Sequence, residues 1–294
     1  MAIKHSVLAA LALSTLVASA PAEASTTRYL TVGGGQIAYD DSSGAGPLVI
    51  CAPGLGDLRA QYRFLAPLLV EAGFRVVTID LRGMGESSAD WPDYSAAAIG
   101  DDVVAMINHL GARRAFVIGN SMTGASAVWA AALAPDRVAG IVLIDPFVRD
   151  MPTSLGARTM LAAAMHRPWG PTFWTLYYGS LYKAAPPADL DSYKTALKAN
   201  LKEPGRFEAL QQMIDAPKAP CEAKIKDVRT PALIVMGSAD PDFSDPKAEA
   251  DLVTARLNGQ ELMVAGAGHY PHVEMPKLVA NSIATFLEHN ADGN

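Results

Sequence analysis

A serine, an aspartate and a histidine stand in this chain in settings from which nucleophilic catalysis is built. Ser121 lies in "FVIGNSMTGASAVWAA", where an apolar run meets Gly-Asn-Ser-Met-Thr-Gly and a helix of small residues leaves from Met122. A serine at a helix start can be an N-cap and nothing more. It can also be a nucleophile held on a sharp turn. Strand and helix backbones approach closely in such a turn, so small residues are needed two positions to either side of the serine. Gly119 meets the first need, while Thr123 occupies the second, with Gly124 one step later. The turn also puts the Met122 N–H at a helix N-terminus, where it can donate to a developing oxyanion.

A serine hydroxyl is a weak nucleophile near neutral pH. It needs a neutral imidazole to take its proton and a carboxylate to orient that imidazole. Both candidates come just after apolar, strand-like runs. "VMGSADPDFSDP" offers Asp240 behind a strand and a Gly237 turn, with Asp242 and Asp245 close by. Asp245 is better explained as the N-cap before "PKAEADL". Asp240 is therefore the preferred acid, with Asp242 as the alternative. "VAGAGHYPHVEMP" offers His269 directly after a strand and a Gly-Ala-Gly loop, while His272 reads as packing or capping near the last helix. A second oxyanion donor is expected from "CAPGLGD", where Gly54 and Gly56 free the backbone to turn inward and the Leu55 N–H is the preferred group.

The elements that must position these residues are legible as an alternation. "YLTVGGGQIAYDD" reads as a hairpin around glycines. "PLVICAP" is a continuous apolar run, the pattern of a strand buried on both faces. "LRAQYRFLAPLLVEAG" then shows helical spacing up to Gly73. Strand "RVVTID", helix "AAIGDDVVAMINHL", strand "AFVIG", helix "ASAVWAAALA" and strand "VAGIVLID" follow. Strands alternating with helices predict an α/β fold, a mostly parallel sheet with helices on both faces.

The rhythm breaks over residues 147–226, which show helical patches, no convincing strand and nine of the chain's 21 aromatic residues. This segment reads as a helical lid over the ligand-binding end of the sheet. Trp169, Phe173, Trp174 and Tyr177 within it are candidates for an apolar substrate pocket, against the plainer reading that they form the lid's own small core. The alternation resumes with "PALIVMG", "PKAEADLVTARL", "ELMVAG" and "PKLVANSIATFLEHN". The expected domains are thus a core of residues 25–146 and 227–294, with the lid between them.

Residues 1–24 stand apart. "MAIKHSVLAALALSTLVASAPAEAS" has a lysine, an apolar run over residues 7–20 and then small residues, the layout of a secretory signal peptide. The run is shorter than the roughly 20 residues of a membrane span, so no stable membrane anchor is expected. Cleavage after Ala20 would place Pro21 beside the cut, so cleavage after Ala24 is preferred, sending the protein to the periplasm or outside the cell. Export makes a disulfide between Cys51 and Cys221 permissible. Cys51, at the end of an apolar strand, is equally explained as a small buried hydrophobe.

Composition narrows the partners. The chain has 294 residues, 50% hydrophobic and 18% charged, with a net charge of −6. That suits a large-cored globular protein acting on a small molecule. Mild acidity without any Lys/Arg run excludes the electrostatic footprint of nucleic-acid binding. The aspartates of residues 240–245 are committed to turns and caps, so neither a metal nor a cofactor is expected. Composition does not speak to the oligomeric state.

Taken in order, "APGLGD", "TIDLRGMGES", "GNSMTG", "GSADPDF" and "GAGHYPHVE" resemble the motifs of the α/β-hydrolase superfamily, over residues 28–290, with serine, acid and histidine in that family's chain order. The resemblance implies a catalytic triad of Ser121, Asp240 and His269, with Ser121 on a nucleophile elbow and an oxyanion hole of Leu55 and Met122. It also gives Asp80 a structural position at a strand end and implies no cofactor. Two departures stand out: Thr123 replaces the second elbow glycine, and Pro53 stands where many members carry histidine. Dehalogenases and epoxide hydrolases of this superfamily use an aspartate nucleophile, and serine at position 121 argues against both. "GNSMTG" is also similar to the Gly-Asn-Ser-Met-Gly-Gly of C–C bond hydrolases of ring-fission products. The expected function is a secreted serine esterase, cleaving small or medium apolar esters or lactones. The alternatives are C–C hydrolysis and a non-catalytic ligand-binding role on the same fold.

Overall fold

The structure is a computed structural model that describes residues 26–152 and 154–291. The signal-peptide expectation for residues 1–24 lies outside the described residues. Among the described residues, no helix is long and apolar enough to cross a membrane.

Eight strands form one sheet in the order β1-β2-β4-β3-β5-β6-β7-β8. β1 (Arg28–Val32) and β2 (Gly35–Asp41) are the expected hairpin, closed by Gly33 and Gly34 at positive φ as a two-residue turn requires. β2 runs antiparallel to β4 (Arg75–Ile79), and all later pairings are parallel. They join β4, β3 (Leu48–Ala52), β5 (Ala115–Asn120), β6 (Val138–Ile144), β7 (Ala232–Gly237) and β8 (Gln260–Val264).

The continuous apolar runs follow from burial on both faces. In β3, Leu48, Ile50 and Ala52 enter one core cluster while Val49 and Cys51 enter the other. β7 alternates likewise, Ala232, Ile234 and Met236 against Leu233 and Val235. The first cluster is completed by residues of α2 (Ala96–His109), α3 (Met122–Leu133) and α9 (Pro246–Leu257). The second is completed by α1 (Leu65–Glu71) and α11 (Pro276–Ala291), which follows the single turn α10 (Pro271–Glu274). Cys51 and Cys221 are both free and buried, in different clusters on opposite faces.

Between β6 and β7 come α4 (Leu155–Ala164), α5 (Gly170–Ser180), α6 (Leu190–Lys202), α7 (Arg206–Asp215) and the short α8 (Ala219–Glu222). Side chains of α5, α6 and α7 join the first core cluster.

One expected element is split. Helical spacing over residues 58–73 predicts a single helix, but the structure has a 3₁₀ turn at Arg59–Tyr62 and starts α1 afresh at Leu65. Pro67 explains the break. An uninterrupted helix would need its missing N–H and would clash with the preceding turn, whereas a restart at Leu65 places it within the first turn. The break leaves Arg59 and Gln61 free to take up contacts of their own.

Candidate active site

The site assembles at the carboxyl ends of the parallel strands. β3 connects in sequence to β4 on one side and lies against β5 on the other, the topological switch point at which open α/β sheets bind ligands. Ser121 follows β5, Asp145 follows β6, Asp240 lies past β7 and His269 past β8.

Ser121 has φ 57° and ψ −124°, and its side chain does not cap α3. A non-glycine residue held there stores on the order of 1–3 kcal/mol of strain, which the surroundings must offset. The Ser121 N–H donates to Ile144 O at 2.9 Å, while its carbonyl accepts from Gly124 and Phe147, both at 3.0 Å. A Cβ on Gly119 would lie 2.2 Å from Thr123 O, and one on Gly124 2.7 Å from Pro146 Cβ. The second close approach of the elbow therefore falls on Gly124. Thr123 is tolerated because its hydroxyl turns back to the backbone, donating to Ala52 O and Asn120 O at 2.8 Å each.

The imidazole and its acid are in contact. His269 Nδ1 lies 2.6 Å from Asp240 Oδ2 and 3.9 Å from Asp242 Oδ2, with His269 buried. Asp240 Oδ1 accepts the Asp242 N–H at 2.9 Å. The loops after β7 and β8 are stitched together, Ser238 N–H to Val264 O at 3.0 Å and Ala239 N–H to Ala267 O at 2.9 Å. Asp242 instead accepts from the Tyr177 hydroxyl at 2.7 Å. Ser121 and His269 have neighbours in common, Asn120 and Phe147. Asn120 donates to His269 O at 3.3 Å, and the Phe147 ring centroid is 6.0 Å from that of His269.

Electrostatics separate these groups. Burial opposes charge on His269, but the adjacent Asp240 carboxylate outweighs it and raises the imidazole above its ordinary 6.5. Burial works against ionisation of Asp240 too, yet His269 holds it below the usual carboxylate range. Asp242 is raised by burial.

The expected oxyanion loop is pinned by residues that carry no motif. Gly54 N–H donates to Gln61 Oε1 at 2.8 Å, and the Gln61 amide donates to Asn120 Oδ1 at 2.7 Å and to His272 Nε2 at 3.1 Å. Gln61 thus supplies the polar support that Pro53 cannot. The indole of Trp174 donates to Gly56 O at 3.2 Å, and Tyr193 donates to the buried Asp57 at 2.6 Å. Burial pushes Asp57 up to about 6 against that hydrogen bond. Leu55 packs partly buried against the first core cluster, and Met122 is buried as the first residue of α3, so its N–H has no partner within the helix. Asp80 stays structural: it accepts from the Arg59 and Glu86 N–H groups at 2.8 and 2.9 Å and pairs with the Arg59 guanidinium.

Of the four aromatic candidates, two reach the site loops from α5, Trp174 and Tyr177. Phe173 is half-buried against the core, Trp174 touches the Gly56 loop and Tyr177 holds Asp242. Trp169 does not reach them. It is 54% exposed at the start of α5, with its ring against His166 and its N–H on Ala163 O at 3.0 Å. Four contributors were not anticipated: Asn120, Gln61, Asp145 and Glu274. Glu274 accepts from Gly268 N–H at 2.6 Å and from Lys183 and Ala185 N–H at 3.0 and 2.9 Å, tying the segment after α5 to the His269 loop.

The chain belongs to the alpha/beta hydrolase fold family, whose model matches residues 47–276. It is similar to epoxide hydrolase B of Mycobacterium tuberculosis, 42% identical over 106 residues, covering 35% of this chain and 30% of that protein. The pig bifunctional epoxide hydrolase 2 is 36% identical over 113 residues, 37% of this chain and 20% of that one, so the chain spans under a third of these relatives. A 2-(acetamidomethylene)succinate hydrolase of Mesorhizobium japonicum matches more broadly, 25% identical over 83% of this chain and 89% of that protein. Among solved structures, a thermophilic esterase from Thermogutta terrifontis has a TM-score of 0.75 at 24% identity, covering 90% of this chain and 98% of the other. The enol-lactonase of Burkholderia xenovorans LB400 has a TM-score of 0.76 at 22% identity, over 89% and 100%.

Proposed function

We propose that this α/β-hydrolase is a serine ester hydrolase that cleaves small or medium apolar esters or lactones through an acyl-enzyme. The observation that carries the reading is a strained Ser121 elbow, whose neighbour Asn120 donates to His269 O, together with a buried His269–Asp240 pair at 2.6 Å. In this mechanism His269 Nε2 takes the Ser121 proton as Oγ attacks the substrate carbonyl. Asp240 holds Nδ1–H and stabilises the imidazolium that forms. The Leu55 and Met122 N–H groups receive the oxyanion. The imidazolium then protonates the leaving alcohol, and water, activated by the same imidazole, releases the acid. Phe173, Trp174 and Tyr177 line the acyl or alcohol side.

The local likeness to epoxide hydrolases favours a second reading, epoxide opening. Chemistry at position 121 weighs against it. A carboxylate nucleophile would form an alkyl ester that water can cleave, whereas alkylation of serine would leave an inert ether.

Export of the mature chain, cut after Ala24, belongs to the same proposal. An organophosphonate should add its mass to the peptide containing Ser121, and Ser121→Ala should lose roughly 10⁴–10⁶ in turnover of p-nitrophenyl esters. Labelling elsewhere, or full activity in the variant, overturns the serine mechanism. Protein recovered outside the cytoplasm should have an intact mass starting at Ser25; a mass starting at Met1 overturns the cleavage, and recovery from the cytoplasm alone overturns the export reading.

A further inference from the structure

Asp145 follows β6 with φ 44° and is fully buried. Its Oδ1 accepts the Gly237 N–H at 2.8 Å, while Oδ2 is buried without a hydrogen-bond partner. A carboxyl oxygen of Asp145, one of Asp240 and a ring nitrogen of His269 all lie within 4.8 Å of one another. Two carboxylates this close in a buried site cannot both carry charge, and a buried oxygen with no donor is costly. One proton resolves both problems. Asp240 is the poorer place for it, since both its oxygens already accept N–H donors, from His269 and from Asp242.

We propose that Asp145 is a positioning residue, a neutral carboxylic acid whose hydroxyl donates to the Asp240 carboxylate and fixes from behind the group that orients His269. The inference rests on the triad reading above. Burial first, then the charge of Asp240, hold the Asp145 carboxyl well above the usual range, while His269, the other charged group facing it, acts in the opposite direction. Nothing in the sequence marks the residue out, because an aspartate in "LIDPF" reads as an ordinary strand-end turn.

Difference infrared spectroscopy between wild type and Asp145→Asn tests the protonation state without any assay of turnover. At neutral pH the wild type should show the carbonyl stretch of a protonated carboxylic acid that the variant lacks. Absence of that band overturns the proposal even if Ser121 is the nucleophile. Its presence together with a failed Ser121 label would sink the esterase reading alone. Kinetics test the positioning role. Asp145→Asn keeps an acceptor for Gly237 and an N–H donor for Asp240, so it should recover most of the kcat/KM that an alanine loses, with its acid limb nearer to wild type than the alanine variant's. Asp145→Ala removes the donor and should lose on the order of 10–100-fold. Its acid limb should also move to higher pH, because a bare Asp240 holds the imidazolium proton more tightly. Packing alone would lower the yield of folded protein and leave that limb in place, and an unmoved limb overturns the proposal. Should the alanine variant fail to fold, the infrared band still decides.

Discussion

His269 and His272 are buried imidazoles three residues apart, and their surroundings drive them in opposite directions. His269 faces Asp240 at 2.6 Å and Asp242 at 3.9 Å, which raise it above 6.5 in spite of burial. His272 lies among Tyr62, Tyr270 and Gln61. Burial pushes it down to about 3, helped by the charges of His269 and Arg63. Its Nε2 accepts from Gln61, so its proton sits on Nδ1, a buried atom without a partner. The difference separates a ring built to exchange a proton from one built never to take one. His272 serves instead as a neutral acceptor at the end of the Gln61 network that holds the Gly54 loop.

The largest effect that could break this comparison is kinetic. His269→Gln removes the proposed base and should lose roughly 10⁴–10⁶ in turnover. His272→Gln only loosens the support of Gly54, and a loss within about 10–100-fold is expected, as for other residues that orient a reacting group. Steady-state kinetics on an activated ester, normalised by phosphonate titration of Ser121, measures both. A His272 variant that loses as much as His269→Gln would exchange the two roles.

A smaller effect sharpens the account of His269 itself. Asp240→Asn should cost on the order of 10⁴ by holding the ring in the wrong tautomer. Asp242→Asn should cost far less, since Asp242 is 3.9 Å from Nδ1 and already engaged by Tyr177. The acid limb of kcat/KM in wild type should have its midpoint above the ordinary ~6.5 of imidazole, because the His269 proton is held by carboxylates. Asp242→Asn removes a lesser part of that hold, so its limb should move slightly to lower pH. If Asp242→Asn is the more damaging variant, the acid is misassigned while nucleophile and base stand.

How far the site was legible depends on whether a residue announces itself through its own backbone neighbours. Ser121, Asp240 and His269 do: Ser121 is the single residue between an apolar strand and a helix, Asp240 and His269 each follow an apolar strand and glycine, and such local patterns survive in sequence. The parallel alternation and the Gly33-Gly34 hairpin were readable for the same reason. Gln61 and His272 meet across 211 residues, and Asp145 meets Gly237 across 92, so neither contact leaves a local trace. Trp169 shows the converse: aromatic content marked its segment, but which way each ring faces is set by packing. Pro67 did carry a local signal for the split before α1, outweighed in the periodicity by the apolar spacing around it.

The smallest effect is thermodynamic, and it sets the two rings directly against each other. His269 has its folded pKa raised above the unfolded value of about 6.5. Its contribution to stability is therefore fully present below that value and fades as pH rises through the folded one. His272 has its folded pKa lowered to about 3. Its unfolded form binds a proton that the folded form refuses, so stability drains away as pH falls from about 6.5 toward about 3. Below about pH 6.5 the His272 ring tilts the curve by up to about 1.4 kcal/mol per pH unit while His269 leaves it flat, and above about pH 6.5 the tilt belongs to His269, with the opposite sign. In the wild type the two tilts occupy adjoining windows, and the two contributions together are greatest near about pH 6.5. Removing one ring leaves the other's window: His272→Gln should lose stability as pH rises from about 6.5, and His269→Gln should lose it as pH falls from about 6.5 toward about 5. Removing the His269 charge also relieves part of the depression of His272, but burial is the larger cause and the sign survives. Urea denaturation of both variants at several pH values reads the slopes, and other titrating groups drop out of the comparison because both variants share them. Parallel slopes in the two variants would mean that these imidazoles do not differ in charge preference, and the contrast between them would fall.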